Sequence, residues 1–300
     1  MKKRRLALAM ILTVLCCAWL FAPAAHAAGT AAATKYPIVL VHGAGFRDKN
    51  FFINYWGRIP RALEAQGAKI FYGKTDGWGS IESNAEMLKD TIEKALKQTG
   101  GAKVNIIAHS KGGLEARYMI ANLGMAGKVA SVTTIATPHH GSATASELSG
   151  VRDVTKRIAA IFVNAVRWIW GDRHPDFYTA GKQMTPGYMR EFNSKNPDSA
   201  GVYYQSFAGA MSAPASDIIL VWPSNMISGK EGENDGMVSV ASSRWTNFRG
   251  VLRGAGYRGV SHLDEVDFRR SDLKIQPLLG AETVREFYVA VAADLKAKGY

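Results

Sequence analysis

The chain has 300 residues, 47% of them hydrophobic, with 37 Lys and Arg against 25 Asp and Glu, a formal net charge of +12. The basic residues are dispersed rather than clustered, which argues against a nucleic-acid partner and for plain solubility, with attraction to anionic surfaces as the alternative. The only two cysteines, Cys16 and Cys17, stand side by side near the start, so the remainder excludes thiol catalysis and cysteine-ligated zinc.

The N-terminus reads as a targeting segment. Lys2, Lys3, Arg4 and Arg5 precede an apolar run from Leu6 to Phe21, and Ala25-His26-Ala27 offers a small-residue cleavage site. This is the pattern of a secretory signal peptide, with an uncleaved membrane anchor as the bland alternative. Cleavage near Ala27 leaves 273 of the 300 residues and a net charge of +8, enough chain for one α/β domain over 28–300. The expected destination is periplasm or medium.

Residues 36–42 (YPIVLVH) form a continuous apolar run of strand length, predicted as a buried parallel strand. Residues 51–66 read as a helix with Pro60 as a kink or break, and 69–73 as a short strand. The clearest amphipathic helix spans 80–98, capped by Ser80 or Ser83 and ended by Gly100-Gly101. Strands follow at 103–109, 130–136 and 203–207, with helices after Ser110 to about Asn122 and over 281–296. Strands alternating with helices predict a mostly parallel sheet covered on both faces. The insertion over about 145–185 breaks that rhythm. Its apolar helix 151–171, with Ile158, Ile161, Phe162, Ala165 and Ile169 on one stripe and Trp168 and Trp170 widening it, is expected to be a lid rather than a core helix.

The segment 103–113 (KVNIIAHSKGG) carries the most chemistry. A strand, a tight turn and a helix meet at one serine, Ser110, with small Ala108 and Gly112 two residues to either side. This is the nucleophile-elbow pattern, with Ala in the place of the first Gly. In that architecture the acid and then the base follow the nucleophile along the chain. Of the seven histidines, only His174 and His262 lie far enough downstream. His174 falls in the lid insertion, whereas His262 falls in a loop before the last helix, where the base belongs. Asp217 and Asp235 remain as acids; Asp235 is preferred because Asn234-Asp235-Gly236 is a tight turn able to hold a carboxylate rigidly. The oxyanion hole is expected from the backbone N–H groups of Lys111 and of Ala44, which lies in the loop His42-Gly43-Ala44-Gly45. His42 itself is expected to order this loop.

Six segments together resemble the secreted true lipases of bacterial lipase family I, the Pseudomonas and Burkholderia type: 36–43 (YPIVLVHG), 103–118 (KVNIIAHSKGGLEARY), 137–142 (TPHHGS), 162–164 (FVN), 234–238 (NDGMV) and 261–266 (SHLDEV). They occur in the family's order over nearly the whole mature chain. The resemblance implies an α/β-hydrolase fold with a helical lid, triacylglycerol hydrolysis, the triad Ser110, Asp235 and His262, and oxyanion donors at Ala44 and Lys111. It also implies a structural Ca²⁺ held by Asp264, with Asp217 as the second carboxylate. The chain departs from the pattern there: the family's glutamine six residues after the histidine is Phe268, and Asp264 could instead be a salt-bridged loop residue. A disulfide common in the family is absent, and a dedicated folding chaperone is a partner only in some members.

The expected activity is therefore a secreted carboxylester hydrolase acting on acylglycerols at a lipid–water interface, through an acyl-enzyme and with no organic cofactor. Alternatives on the same scaffold are a short-chain esterase or a phospholipase. The alternative outside catalysis is a hydrolase-like protein that only binds lipid or envelope.

Overall fold

A computed structural model describes residues 29–48, 54–150 and 171–300, apart from the side chains of 147–150 and 215. The signal segment, the first residues of the 51–66 helix and the apolar stretch 151–170 lie outside the described residues. Six strands form one parallel sheet in the order β2-β1-β3-β4-β5-β6. These are β1 (Ile38–Val41), β2 (Ile70–Tyr72), β3 (Val104–His109), β4 (Val129–Ile135), β5 (Tyr203–Ala210) and β6 (Phe248–Arg253). β1, β3 and β4 are buried along their whole length, as apolar strands inside a parallel sheet must be.

The two-residue strand period sends alternate side chains to opposite faces. Ile38, Leu40 and Ile107 face a core shared with Ile59 and Leu63 of α1 (Ile59–Ala65) and with Phe287, Tyr288, Val291 and Leu295 of the closing helix. Val39, Val41, Ile106 and Ala108 face the other way. They pack on Ala85, Leu88 and Ile92 of α2 (Ile81–Thr99) and on Ala116, Met119 and Ile120 of α3 (Gly112–Asn122). α2 is capped at Ser80, whose hydroxyl accepts from Ser83 N at 3.1 Å, and ends at Gly100 with φ 65°.

Along the described part of the insertion run α4 (Ala143–Gly150) and α5 (Phe177–Gln183), followed by α6 (Pro186–Lys195). α4 packs on α5 and on α7 (Val221–Glu231). The short α8 (Val240–Ser243) follows the Asp235 turn.

Some elements differ from the sequence expectation. Residues 55–58 are turn, and α1 begins at Ile59 with Pro60 in its first turn. Proline costs nothing there, because the first-turn N–H groups have no intrahelical acceptor. The last helix, α9 (Val284–Ala297), starts later than predicted: Ala281–Thr283 is β8, paired antiparallel with β7 (Lys274–Leu278). Thr283 caps α9 by accepting from Glu286 N. β6 is an additional strand; its sequence FRGVLR, with two arginines and a glycine, suits a half-exposed sheet edge rather than a buried run.

Candidate active site

β3 ends at His109 and α3 begins at Gly112, so Ser110 sits at the apex of the turn, with φ 56°. A non-glycine residue in the left-handed region is strained, and the surroundings must hold it there. Ser110 N–H donates to Ile135 O at 2.9 Å, and Thr137 Oγ1 donates to Ser110 O at 2.8 Å, so the end of β4 and the loop after it hold the turn. The glycines let the helix approach. A Cβ on Gly112 would stand 2.5 Å from His42 O, and one on Gly113 would stand 2.2 Å from Thr137 Oγ1.

The structure brings Ser110, His262 and Asp235 together. His262 Nε2 lies 3.0 Å from Ser110 Oγ, and His262 Nδ1 lies 2.7 Å from Asp235 Oδ2. Asp235 Oδ1 accepts from the N–H groups of Met237 and Val238, both at 2.8 Å, and His262 N–H donates to Asp235 O at 2.9 Å. The carboxylate is fully buried and fixed by its own turn. Its second oxygen fixes the imidazole as the Nδ1–H tautomer, which leaves Nε2 free to accept the serine proton. Asn234 steadies the turn: its Oδ1 accepts from Gly236 N at 2.9 Å and from Ser224 Oγ at 3.0 Å, tying the acid to α7.

The loop after β1 closes over the elbow. A Cβ on Gly43 would fall 2.6 Å from Ser110 Cβ. His42 orders this loop, its ring nitrogens lying 2.8 Å from Gly43 O and 3.1 Å from Thr75 O. Among the described residues, neither the Ala44 nor the Lys111 backbone N–H donates to a protein acceptor, which leaves both amides available to an oxyanion. His174, set aside as the base, donates its backbone N–H to Asp76 Oδ2 at 2.6 Å.

The alpha/beta hydrolase fold family matches residues 36–199. Triacylglycerol lipase 2 of Saccharomyces cerevisiae is 31% identical over 265 residues, covering 83% of this chain and 75% of the yeast protein. The chain belongs to the triacylglycerol lipases of the α/β-hydrolase superfamily. The triacylglycerol lipase of Burkholderia plantarii is 36% identical over 192 residues, 60% of this chain, and the chain spans 53% of that enzyme's length. Among solved structures, a metagenomic carboxyl esterase superposes with a TM-score of 0.67 at 18% identity, covering 90% of this chain and 78% of its own. That likeness supports the fold. Like its family, the lipase is a carboxylester hydrolase.

Several polar groups of the lipase's site were not singled out from sequence. Gly43 N–H donates to Tyr55 Oη at 3.0 Å, Tyr55 Oη lies 2.6 Å from His109 Nδ1, and His109 Nε2 lies 2.8 Å from Glu265 Oε2. Burial, with Asp235 next to it, pushes the Glu265 carboxyl well up, and burial, with His262 next to it, pushes His109 well down. Both shifts favour uncharged forms. Asp235 is also the nearer carboxylate to His262, its Oδ2 lying 2.7 Å from Nδ1 against 3.8 Å for Glu265 Oε2. Beneath the elbow, the fully buried Lys111 Nζ meets Glu115 Oε1 at 2.6 Å, and Asn84 Nδ2 donates to the same oxygen at 2.8 Å. His109 and Glu265 had a signal in their adjacency to Ser110 and His262; Tyr55 had none.

Asp217 and Asp264, the expected calcium carboxylates, do come together, but around a side chain. Arg269 Nη2 donates to Asp217 Oδ1 at 2.7 Å, and Arg269 Nη1 lies 2.5 Å from Asp217 Oδ2 and 3.6 Å from Asp264 Oδ1. Asp264 Oδ2 accepts from Ser261 N and Oγ at 3.1 and 2.8 Å and also pairs with Arg258. Burial alone would push Asp217 up, but its bonds to Arg269 and Ser261 outweigh it and hold the carboxyl below its usual range. This donor set does not fit a divalent ion, which needs six to eight oxygens where a guanidinium now lies.

Proposed function

We propose that the protein is a secreted triacylglycerol lipase that works through an acyl-enzyme on Ser110. The hydrogen-bonded line from Ser110 Oγ to His262 to Asp235, with the serine on a strained turn, carries this reading. His262 Nε2 takes the hydroxyl proton as Oγ attacks the ester carbonyl, and Asp235 stabilises the imidazolium that forms. The Ala44 and Lys111 amides hold the oxyanion. The proton on His262 then passes to the leaving alcohol, and water releases the fatty acid by the same route.

Acylglycerol as the substrate rests on the named relatives and on the surface beside the acid. Ile218, Ile219 and Trp222 are 87%, 69% and 59% exposed, and Met237, two residues from Asp235, is also exposed. Leu220, in the same segment, sits where a Cβ on Gly236 would stand 2.8 Å away. This apolar edge therefore borders the Asp235 turn and suits an aggregated lipid better than a dissolved ester. The lid assigned to 151–171 and export through the 1–27 leader belong to the same proposal.

Covalent labelling with an organophosphate, followed by peptide mapping, tests the nucleophile: label is expected on Ser110 and absent in Ser110→Ala. Label on any other residue, or unchanged ester turnover in Ser110→Ala, rejects the reading. Turnover of emulsified long-chain triacylglycerol should exceed that of soluble short esters, and the reverse preference would mark a short-chain esterase.

A further inference from the structure

The loop carrying His262 is held to its neighbours by arginines. Each aspartate of the stretch 261–272 meets one: Asp264 meets Arg258 and Arg269, Asp267 meets Arg58 through two nitrogens, and Asp272 meets Arg58 and Arg285. A further arginine contact ties this loop to the segment beside the acid turn. Arg269 grips Asp217, in the segment that leads into α7, while its Nη1 also donates to Ser261 Oγ at 3.1 Å, one residue before His262. α7 in turn holds the Asp235 turn through the Ser224 to Asn234 hydrogen bond. Both carboxylates are almost fully buried, whereas the Arg269 side chain is 27% exposed.

We propose that the Arg269 guanidinium is a built-in cation that replaces bound calcium in clamping the His262 loop to the Asp217 segment, and that the protein is consequently independent of calcium. The assignment of His262 as base is taken from the proposed function. The two oxygens that would face a metal, Asp217 Oδ2 and Asp264 Oδ1, lack a directional hydrogen bond and point instead at the single nitrogen Nη1, as the distances above record. Two buried carboxylates are balanced by two guanidiniums, Arg258 and Arg269, so a divalent ion would add two uncompensated positive charges beside them. The guanidinium approaches Asp217 at two points, Nη2 by a hydrogen bond to Oδ1 and Nη1 by a charge contact with Oδ2, which a lysine ammonium cannot copy. The preceding residue agrees: Phe268 offers no side-chain oxygen, and its ring packs 5.1 Å from the Phe46 ring. Arg269 is a positioning residue, acting on the reaction only through the placement of His262.

The experiment compares the full-length mature protein, Arg269→Ala and Arg269→Lys in EDTA and in excess CaCl₂, reading Tm, calcium binding by titration calorimetry, and kcat and KM on a soluble ester. The wild type should show the same Tm and turnover in both buffers and no calcium binding. Arg269→Ala should have a lower Tm and a kcat reduced more than about tenfold with KM little changed, as expected when a reacting group is misplaced. Calcium should now bind the vacated acid pair and raise its Tm, and Arg269→Lys should fall between the two. A wild type that loses Tm in EDTA and recovers it with calcium, or that binds calcium stoichiometrically, overturns the proposal. So does Arg269→Ala with wild-type Tm. If Arg269→Ala does not fold, the wild-type arm decides alone. Because Tm and calorimetry need no turnover, the result stands apart from the identity of the catalytic residues, and Ser110→Ala can carry the same Tm comparison.

Discussion

Gly43 lies so close to Ser110 that a Cβ on it would stand 2.6 Å from Ser110 Cβ and 3.1 Å from Ser110 Oγ. The same Cβ would also meet Tyr55 Oη at 2.8 Å. The glycine therefore sets the distance between the oxyanion loop and the nucleophile. Gly43→Ala should push the Ala44 amide away from the reacting carbon while leaving the sheet intact. The expected result is a loss of roughly 10²–10³ in kcat/KM, the cost of one misplaced oxyanion donor. Steady-state hydrolysis of a chromogenic ester measures it, with circular dichroism as the fold control. A variant within a few fold of wild type would remove Gly43 from the geometry of the hole.

Asp235 offers a sharper test because its two oxygens do different work. Oδ1 is taken by two backbone N–H groups and Oδ2 by His262. In Asp235→Asn the amide oxygen keeps the backbone bonds, so the amide NH₂ faces His262 Nδ1. The imidazole must then flip its tautomer and offer Nε2–H to the serine, which can no longer lose its proton. A fall in kcat of about 10³–10⁴ at neutral pH is expected, with KM little changed. If the uncharged Glu265 nearby took over as the acid, Asp235→Asn would retain activity that Asp235→Asn/Glu265→Gln loses. Full activity in both variants would exclude an acid role for this turn.

The central strands and the elbow were legible in the sequence because their signals are local. A buried parallel strand must be an apolar run, and a nucleophile elbow must have small residues at fixed offsets. Asp235 was legible for the same reason, since its turn chemistry is contained in four residues. β6 was not, because an edge strand is not forced to be apolar. The contact between neutral His109 and Glu265 was not either: each stands near a triad residue in sequence, but the two are 156 positions apart, and a contact made only in three dimensions leaves no periodic trace. Arg269 illustrates the limit most clearly. The departure at Phe268 is visible in the sequence, but only the folded chain shows that Arg269 lies between Asp217 and Asp264.

Lys111 separates stability from catalysis at one position. Its amide faces the proposed oxyanion, while its side chain is buried without solvent contact and pairs with Glu115. Lys111→Met removes the buried cation, keeps the amide, and leaves Glu115 with Asn84 alone. Removing one partner of a buried pair costs about 3–5 kcal/mol, whereas replacing both partners by apolar residues costs much less. Urea unfolding should therefore rank wild type as most stable, Lys111→Met/Glu115→Leu next and Lys111→Met last. The kcat of the folded fraction should stay within a few fold in both variants. Equal stability of wild type and Lys111→Met would show that the pair contributes nothing net.

His139 predicts an acid limb of stability well above the carboxylate range. The ring is buried and stacks on Trp245 with centroids 5.1 Å apart, while Arg117 Nη1 donates to its Nδ1 at 3.2 Å. Its Nε2–H donates to Thr134 Oγ1 at 3.0 Å. A second proton would have to enter at Nδ1, against a guanidinium. Burial first, and then Arg117 and His140, hold His139 well below the ordinary histidine value, and His109 is shifted the same way. The sign follows from linkage. Below about pH 6.5 the unfolded chain binds a proton at each of these histidines and the native state does not, so stability falls as pH drops. Each such group contributes a slope of at most about 1.4 kcal/mol per pH unit. Glu265, shifted up, works in the opposite direction in the same range, so the wild-type slope alone is ambiguous and a variant is needed. His139→Gln should lower stability at neutral pH and flatten the loss between about pH 6.5 and pH 5 by close to one proton's worth, read from urea unfolding at several pH values. An unchanged slope in that variant would mean that His139 accepts its proton in the folded state.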